Sequence, residues 1–277
     1  MRRESMSIRI LRTVLLALML LFLLFPFYWT FLTSIKPENE LYGKVVTYWT
    51  AHPTFEAYKK LFTSTVDFLS AMKNSLLVAV CTTLLTLVVA TMAAYAFSRY
   101  DFVGRKVLMS IFLCNNMFPT VLLLIPLYSI MRKLQLLFTP VSLILSYTTF
   151  TIPFSVWLLI GFINDLPASL EEAAMVDGCN RGQAFMKIIF PLLRPSIIAT
   201  GVYIFMQSWN EYTFAMMFTN TSTRTIPVAL KSLIGQLGVQ WDLLTAGGIL
   251  TIIPVCIMFF FAQKRLVEGL TAGAVKG

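Results

Sequence analysis

The polar residues with the most suggestive spacing lie in the stretch SLEEAAMVDGCNRGQAFMKIIFPLLRPS, which runs from Ser169 to Ser196 between two long apolar segments. Ser169 and Glu172 have the spacing of a capping box, in which each side chain pairs with a free backbone N–H of a first turn. A helix is therefore predicted to begin at Ser169. Gly178 predicts its end, because glycine readily adopts the left-handed conformation that terminates many helices.

The residues of this segment indicate a docking surface rather than a catalytic site. Ala173 and Ala174 follow the acidic pair with very small side chains, so a helix carrying them can seat deeply in a groove of another protein. Asn180 and Gln183 repeat the capping spacing and predict a second short helix directly after the first. The sequence thus predicts a rigid, polar helix pair whose exposed face binds a partner.

Catalytic and metal-binding chemistry lacks its usual parts elsewhere in the chain. His52 is the single histidine, which leaves no histidine cluster for a metal and no Ser-His-Asp triad. No G-x-x-x-x-G-K-[ST] stretch is present, so binding of ATP through a P-loop is not expected. The cysteines have neither metal-site nor disulfide spacing; they are Cys81, Cys114, Cys179 and Cys256. The chain is predicted to be no enzyme and to bind no metal or cofactor.

The composition is that of an integral membrane protein. Hydrophobic residues make up 57% of the chain and charged residues 13%, against roughly 25% charged in soluble domains. About 20 apolar residues cross a bilayer as a helix, because backbone polar groups in lipid must pair internally. We therefore predict an all-α membrane protein with six transmembrane helices, at Ile10–Thr33, Ala71–Phe97, Val107–Met131, Thr139–Ile163, Pro195–Phe218 and Leu243–Gln263.

The basic residues predict the orientation of these helices. Arg2, Arg3 and Arg9 precede the first span, Arg12 lies in its first turn, and Lys36 alone follows it closely, so the positive-inside rule places both termini in the cytoplasm. A cleaved secretory signal is disfavoured, because the first apolar run is long and lacks a small-x-small cleavage site. Anionic membrane lipid accounts for the net charge of +9 without nucleic acid.

Glu211 is the ionisable residue that lies well inside a predicted span. A charge in lipid is costly and usually faces a cavity or a partner. It lies in the sequence SWNEY, where Trp209 and Tyr212 offer aromatic faces for sugar rings and Asn210 offers hydrogen bonds. Two interpretations stay open: these four residues line a substrate pathway, or Glu211 lies near the outer interface and holds a paired subunit.

The polar segment also resembles the EAA signature of ABC importer permeases. The letters EAA begin at Glu172, Gly178 follows after three residues, and IIFP, ending at Pro191, follows after nine more. Phe190 stands where the family usually has leucine. The resemblance implies a type I ABC importer permease fold in which the segment 169–191 is a coupling helix for an ATPase subunit. The implied coupling residues are Glu171, Glu172, Ala173, Ala174, Asp177 and Gly178.

Three further stretches resemble the G-type permease of maltose-type sugar importers: SIKPENE, AAYAFSRYDFVGRK and the final GLTAGAVKG. In that branch the C-terminal tail contacts the ATPase subunits. The resemblance therefore implies that the tail, like the coupling segment, meets the ATPase; its contacting residues would be Gly269, Leu270, Thr271, Gly273, Lys276 and Gly277.

The resemblance implies a non-catalytic permease of a prokaryotic cell membrane that works with several partners. These are a second permease subunit in a heterodimer, two ATPase subunits that hold ATP and Mg²⁺, an extracytoplasmic sugar-binding protein, and the sugar itself. The predicted regions are 1–33 with the first span, the outer loop 34–70, the core 71–266 with the coupling loop 164–194, and the tail 267–277.

Two other functions stay open at this point. One is an ABC permease for glycerol phosphate or a polyol, the chemical neighbours of sugars. The other is an ion-coupled secondary transporter, which would need coupling charges near the middle of the membrane, where Glu211 is the candidate. A membrane-embedded enzyme is disfavoured, because it would need clustered histidine or acidic residues at the interface.

Overall fold

The computed structural model describes residues 6–63, 67–236 and 238–274, with side-chain detail for these residues apart from 113, 116 and 264–274. Contacts divide the chain into two compact units. The first comprises Met1–Leu69 with Ala229–Ile253, and the second comprises Ser70–Val228 with Pro254–Gly277. The predicted division of the chain into regions follows membrane topology and stays a prediction.

Most of the described residues are helical. A 3₁₀ turn (Thr120–Leu123) precedes α6, a π-helical turn (Phe185–Ile189) precedes α10, and a short antiparallel hairpin pairs β1 (Ile234–Gly235) with β2 (Gly238–Val239). The α-helices are α1 (Met6–Ile35), α2 (Glu38–Leu41), α3 (Glu56–Thr63), α4 (Phe68–Arg99), α5 (Arg105–Met117), α6 (Leu124–Lys133), α7 (Pro140–Asn164), α8 (Ser169–Val176), α9 (Arg181–Ala184), α10 (Phe190–Asn210), α11 (Thr213–Phe218), α12 (Ile226–Lys231) and α13 (Trp241–Ala274).

Within the described residues, five helical segments are long and apolar enough to cross a membrane. Each overlaps one of the predicted spans, so the all-α membrane architecture is confirmed. The count of six and the cytoplasmic position of both termini stay predictions. The five segments are Met6–Ile35, Phe68–Arg99, Pro140–Asn164, Arg181–Asn210 and Trp241–Gln263.

The stretch Val107–Met131, predicted as one span, is not a single continuous helix. The structure divides this stretch into α5, the 3₁₀ turn and α6. Phe118 is extended and the next residue is Pro119, which has no N–H to continue the backbone ladder. Proline also disfavours helical geometry in the residue before it, so the break falls where the sequence requires it.

The predicted limits of the fifth span also need correction. The helical segment begins at Arg181, well before Pro195, and passes through the π-helical turn into α10. It ends at Asn210, because Glu211 has extended backbone dihedrals (φ −71°, ψ 128°), and α11 is a separate short helix. The predicted end at Phe218 is therefore wrong.

Small side chains allow the helices of the second unit to approach closely, as is common in membrane bundles. Ala90 and Ala94 of α4 are fully buried in a cluster with Val156 and Leu159 of α7 and with Leu193 of α10. A buried hydrogen bond of 3.0 Å between the hydroxyls of Thr86 and Thr151 connects α4 with α7. The α4–α7–α10 core supports both candidate sites described below.

Gly247 and Gly248 of α13 provide a matched test of packing in the first unit. A Cβ atom at Gly247 would lie 2.5 Å from the Leu230 side chain and 3.3 Å from that of Phe68, whereas a Cβ at Gly248 meets nothing within 4 Å. Overpacking typically costs about 1–3 kcal/mol. We expect Gly247→Val to lower the apparent melting temperature of the purified protein and Gly248→Val to leave it nearly unchanged. Equal melting temperatures for the two variants would contradict this packing.

Candidate functional site

Helix α8 begins differently from the prediction. Ala168, the residue before it, already has helical dihedrals, and the described structure shows no capping hydrogen bond from the Ser169 side chain. The first turn starts upstream, because Glu171 N donates to the carbonyl of Ala168 at 3.0 Å and Leu170 N to that of Pro167 at 3.3 Å. Ser169 therefore lies inside the turn, and the predicted capping box is wrong.

The end of α8 and the start of α9 agree with the sequence. Gly178 has φ +87°, the left-handed conformation that favours glycine. Cys179 N donates to the carbonyl of Ala174 at 3.0 Å and Gly178 N to that of Met175 at 3.1 Å, which is the Schellman pattern. The predicted capping box at Asn180 is also confirmed, with bonds of 2.9 and 3.0 Å to and from Gln183.

The two adjacent carboxylates of α8 face opposite environments. Glu171 is buried and accepts hydrogen bonds from Tyr95 Oη at 2.6 Å and from Arg99 Nε at 2.5 Å. Arg99 Nη2 also donates to the carbonyls of Ile163, at 3.2 Å, and Leu166, at 2.9 Å. One guanidinium thus joins the last turn of α4, the end of α7 and the first turn of α8. We name these three side chains, Tyr95, Arg99 and Glu171, the latch.

The remaining side of α8 is exposed. Glu172, Ala173, Asp177 and Gly178 are exposed, whereas Glu171 and Ala174 face the protein. Val176 lies on the exposed side with 87% of its surface accessible, an apolar residue that sequence reasoning did not single out. The predicted coupling residues thus divide into an outward set and an anchoring pair, which is the arrangement a docking helix needs.

A second site is a pocket of about 230 Å³ in the second unit, lined by α7, α10, the start of α11 and the region around the break after α5. Its polar lining combines hydroxyl, amide and carboxylate groups. Such groups can hydrogen-bond a hydroxylated molecule, while the aromatic rings among them can contact its apolar faces. The lining residues are Asn115, Thr120, Tyr147, Phe150, Thr151, Tyr203, Gln207, Ser208, Glu211 and Phe214.

Glu211 holds the break between α10 and α11 together. Its carboxylate accepts hydrogen bonds from Tyr147 Oη at 2.5 Å, from Phe214 N at 2.9 Å and from Ala215 N at 3.1 Å. The two backbone donors belong to the first turn of α11, which has no intrahelical partners for them. The carboxylate thus satisfies the free end of a helix and fixes the Tyr147 phenol at the pocket wall.

The other members of the SWNEY element lie elsewhere. Trp209 is 3% exposed and stacks on Phe205 with ring centroids 5.5 Å apart, inside a hydrophobic cluster. Asn210 donates to the carbonyl of Met206 in its own helix, and Tyr212 Oη lies 2.9 Å from the sulfur of Met216. Of the four predicted pathway residues, Glu211 is the one that lines the pocket.

The predicted tail residues fall at the edge of what the structure describes. The backbone of Gly269, Leu270, Thr271 and Gly273 continues α13, which ends at Ala274. Lys276 and Gly277 lie outside the described residues. The role of this segment in contacting an ATPase stays a prediction.

Sequence reasoning missed several residues of both sites. Tyr203 and Gln207 precede Glu211 at intervals of four, so a helix continued through Glu211 would place all three on one face, and this spacing could have identified them. Arg99 carried no comparable signal, because its partners lie at the ends of two other helices. Tyr147 also carried no signal, because it lies within an apolar run and its partner Glu211 is distant in the sequence.

Several helices able to cross a membrane, an exposed short helix anchored to them and a polar pocket are together typical of a membrane transport protein. Residues 86–271 match the family described as binding-protein-dependent transport system inner membrane component. The chain is 37% identical to the sulfoquinovosyl glycerol transport system permease protein SmoH of Agrobacterium fabrum, over 96% of this chain and 94% of that protein. It is 35% identical to the trehalose/maltose transport system permease protein MalG of Thermococcus litoralis, over 99% of each chain.

The fold is similar to that of a solved bacterial ABC transporter involved in the import of the acidic polysaccharide alginate. The TM-score is 0.83 at 25% sequence identity, with 96% of this chain and 100% of that chain covered. The chain belongs to the family of binding-protein-dependent transport system inner membrane components. It is a multi-pass permease of the prokaryotic inner membrane with the type I ABC importer fold.

The latch makes a test of local stability possible. Arg99→Gln leaves the Glu171 carboxylate buried without its charged partner, and breaking a buried pair in this way costs about 3–5 kcal/mol. Arg105 pairs with Asp101, which is 98% exposed, and such surface pairs contribute roughly 0–1 kcal/mol. We expect Arg99→Gln to reduce the thermal stability of the purified permease strongly and Arg105→Gln to change it little. A stability loss of the same size in both variants would count against the latch.

Proposed function

We propose that the chain is the transmembrane permease subunit of an ATP-driven importer of sugars or oligosaccharides. It forms a heterodimer with a second permease and catalyses no reaction itself. Two ATPase subunits hold ATP and Mg²⁺ and hydrolyse the nucleotide, and an extracytoplasmic binding protein delivers the sugar. The names of the similar permeases and the alginate importer, all concerned with sugars or their derivatives, support this substrate class.

The connection of α8 to the bundle is the observation that carries the proposal. The exposed face with Glu172, Ala173 and Val176 docks on an ATPase subunit, while Glu171 on the other face is bonded to Arg99. Displacement of α8 by closure of the ATPase dimer is transmitted through Arg99 to the end of α7. The sugar cavity then opens alternately to the two sides of the membrane.

The pocket at Glu211 is the proposed part of the sugar pathway in this subunit. Helix α7 supplies Tyr147 and Thr151 to its wall, so movement of α7 changes the pocket directly. Gln207 and Tyr203 provide hydrogen bonds and an aromatic face for a hydroxylated ring. Glu211 acts here mainly by orienting Tyr147 and the start of α11. The alternative that it holds a paired subunit stays open.

The alternative functions have weaker support. An ion-coupled transporter would need Glu211 to exchange a proton or cation, but its carboxylate is engaged by a phenol and two backbone N–H groups. A glycerol phosphate permease would need a cation for the phosphate, and none of the described residues that line this pocket is lysine or arginine. A polyol remains chemically close to a sugar, and uptake assays separate the two.

Charge reversal on the exposed face of α8 tests the coupling proposal. We expect Glu172→Lys, the charge reversal, to abolish most sugar-stimulated ATP hydrolysis in the reconstituted complex, because the docking face no longer fits the ATPase. Gly178→Asp should do the same, because it adds a charge to that face at a left-handed position that favours glycine. Asp101→Lys, a charge reversal at a residue that is 98% exposed outside α8, is the control and is expected to retain hydrolysis. Normal stimulated hydrolysis in both α8 variants would refute this assignment.

Truncation of a pocket residue tests the pathway. We expect Gln207→Ala to raise the apparent KM for sugar uptake by about tenfold, the effect of losing roughly 1.4 kcal/mol of binding. Asn210→Ala is the matched control, because its side chain bonds within its own helix outside the pocket. Glu211→Gln should impair uptake while the complex still assembles. Unchanged uptake in both Gln207→Ala and Glu211→Gln would show that the sugar passes elsewhere.

A further inference from the structure

A separate cavity of about 370 Å³ lies within the first unit. Its walls are the carboxyl end of α1, the following segment from Lys36 to Thr47, which includes α2, and the start of α13. The volume falls within the range of small-molecule sites, roughly 300–1,000 Å³. Lys36 and Glu40 belong to the stretch SIKPENE, but the resemblance assigns no ligand to them, and none of the cavity residues lines the pocket at Glu211.

The cavity contains a buried, preorganised cation. Lys36 is 6% exposed, and its Nζ donates to the carbonyl of Thr47 at 2.5 Å. The same ammonium lies 5.1 Å from the centre of the Trp29 ring, a cation–π distance. Lysine has three N–H donors, so further donors remain for an acceptor in the cavity.

Two buried acceptors at this cavity have no hydrogen-bond partner among the described residues. They are Oε2 of Glu40 and Oγ1 of Thr47, and both residues belong to the cavity lining. A buried polar atom without a partner costs about 1–3 kcal/mol, so native proteins usually satisfy such atoms. A ligand that donates hydrogen bonds would satisfy the carboxylate oxygen and the hydroxyl together.

The cavity also has aromatic and hydroxyl groups in its lining. Trp29 and Trp241 contribute indole rings, and Thr30 and Thr245 contribute hydroxyls. Indole faces contact the C–H faces of sugar rings, while carboxylate, ammonium and hydroxyl groups hydrogen-bond the ring substituents. We propose that this cavity is a second carbohydrate site, which takes one ring of a neutral saccharide. The ligand class rests on the proposed function.

The charges favour a neutral saccharide over other occupants. The phosphate of a lipid headgroup would pair with Lys36 but would also meet the Glu40 carboxylate, where like charges repel. An acyl chain would leave the Glu40 and Thr47 acceptors unsatisfied. With the N-terminus in the cytoplasm, as predicted, the carboxyl end of α1 lies on the outer side. The cavity would then receive sugar on the side where a binding protein releases it.

Fluorine NMR of the full chain tests this site directly. The five tryptophans are labelled with 5-fluorotryptophan, assigned by single substitutions, and observed in zwitterionic lipid nanodiscs. Maltose, trehalose, cellobiose and lactose are the probes. We expect at least one of them to shift the Trp29 and Trp241 resonances saturably, while the exposed Trp49 and Trp157 stay unchanged. Glu40→Gln should weaken that response by about tenfold, the loss expected for one hydrogen bond to a charged group.

Glu38→Gln is the matched control, because Glu38 lies two residues away, is exposed and pairs with Lys60 outside the cavity. It should leave the midpoint of the titration within about twofold of the unsubstituted chain, since a surface pair contributes little. Absence of a response to every probe, or an equal effect of both substitutions, would overturn the proposal. So would a shift that needs anionic lipid instead of saccharide.

A parallel assay separates this inference from the proposed function. Sugar uptake is measured in cells that lack the gene and in cells complemented with it. Gene-dependent uptake with silent Trp29 and Trp241 resonances would overturn the second site alone. Uptake that does not depend on the gene, together with silent resonances, would overturn both.

Discussion

The hydrogen-bonded ion pair between Arg99 and Glu171 is the interaction on which the position of α8 depends. A buried pair is weak evidence of stability, because desolvation offsets much of the attraction. The ion pair matters here because its hydrogen bonds fix the orientation of α8. Arg99 also bonds the carbonyls of Ile163 and Leu166, so a planar guanidinium fixes three helix ends relative to one another. A lysine point charge could not hold that geometry, and a purely apolar contact would let α8 slide.

Much of this arrangement could be predicted from local sequence, and the limits of prediction have physical causes. The end of α8 at Gly178 and the cap at Asn180 followed from single residues, because a left-handed turn and a capping box are local devices. Which of Glu171 and Glu172 faces inward did not follow. Adjacent helical residues differ by about 100° in direction, and a distant arginine decides between them.

The helix breaks in the membrane segments were likewise only partly predictable from the sequence. The apolar runs identified the spans, but hydropathy does not indicate where a helix ends within a run. Pro119 ends one helix by removing a donor, and Glu211 ends another by accepting the free donors of the next. The sequence marked Glu211 as unusual, yet it could not show whether the carboxylate faced a substrate or a helix end. Trp209 lies two residues before Glu211 and packs in a hydrophobic cluster, because successive residues of a helix point in different directions.

The two candidate sites of the second unit use one device twice. Tyr95 donates to Glu171 of α8, and Tyr147 donates to Glu211 at the pocket. Helix α7 connects them, since its Ile163 carbonyl accepts from Arg99 and its Tyr147 holds Glu211.

The 16 helical steps from Tyr147 to Ile163 span about 24 Å at 1.5 Å per residue. Pro153 interrupts the backbone ladder between these two ends, and a helix bends most easily at such a point. In the proposed coupling, a displacement at the latch would therefore reach the pocket as a change of angle as well as of position. Thr151 lies two residues before this proline and is hydrogen-bonded to Thr86 of α4. The neighbouring helix therefore limits how far α7 can bend at Pro153.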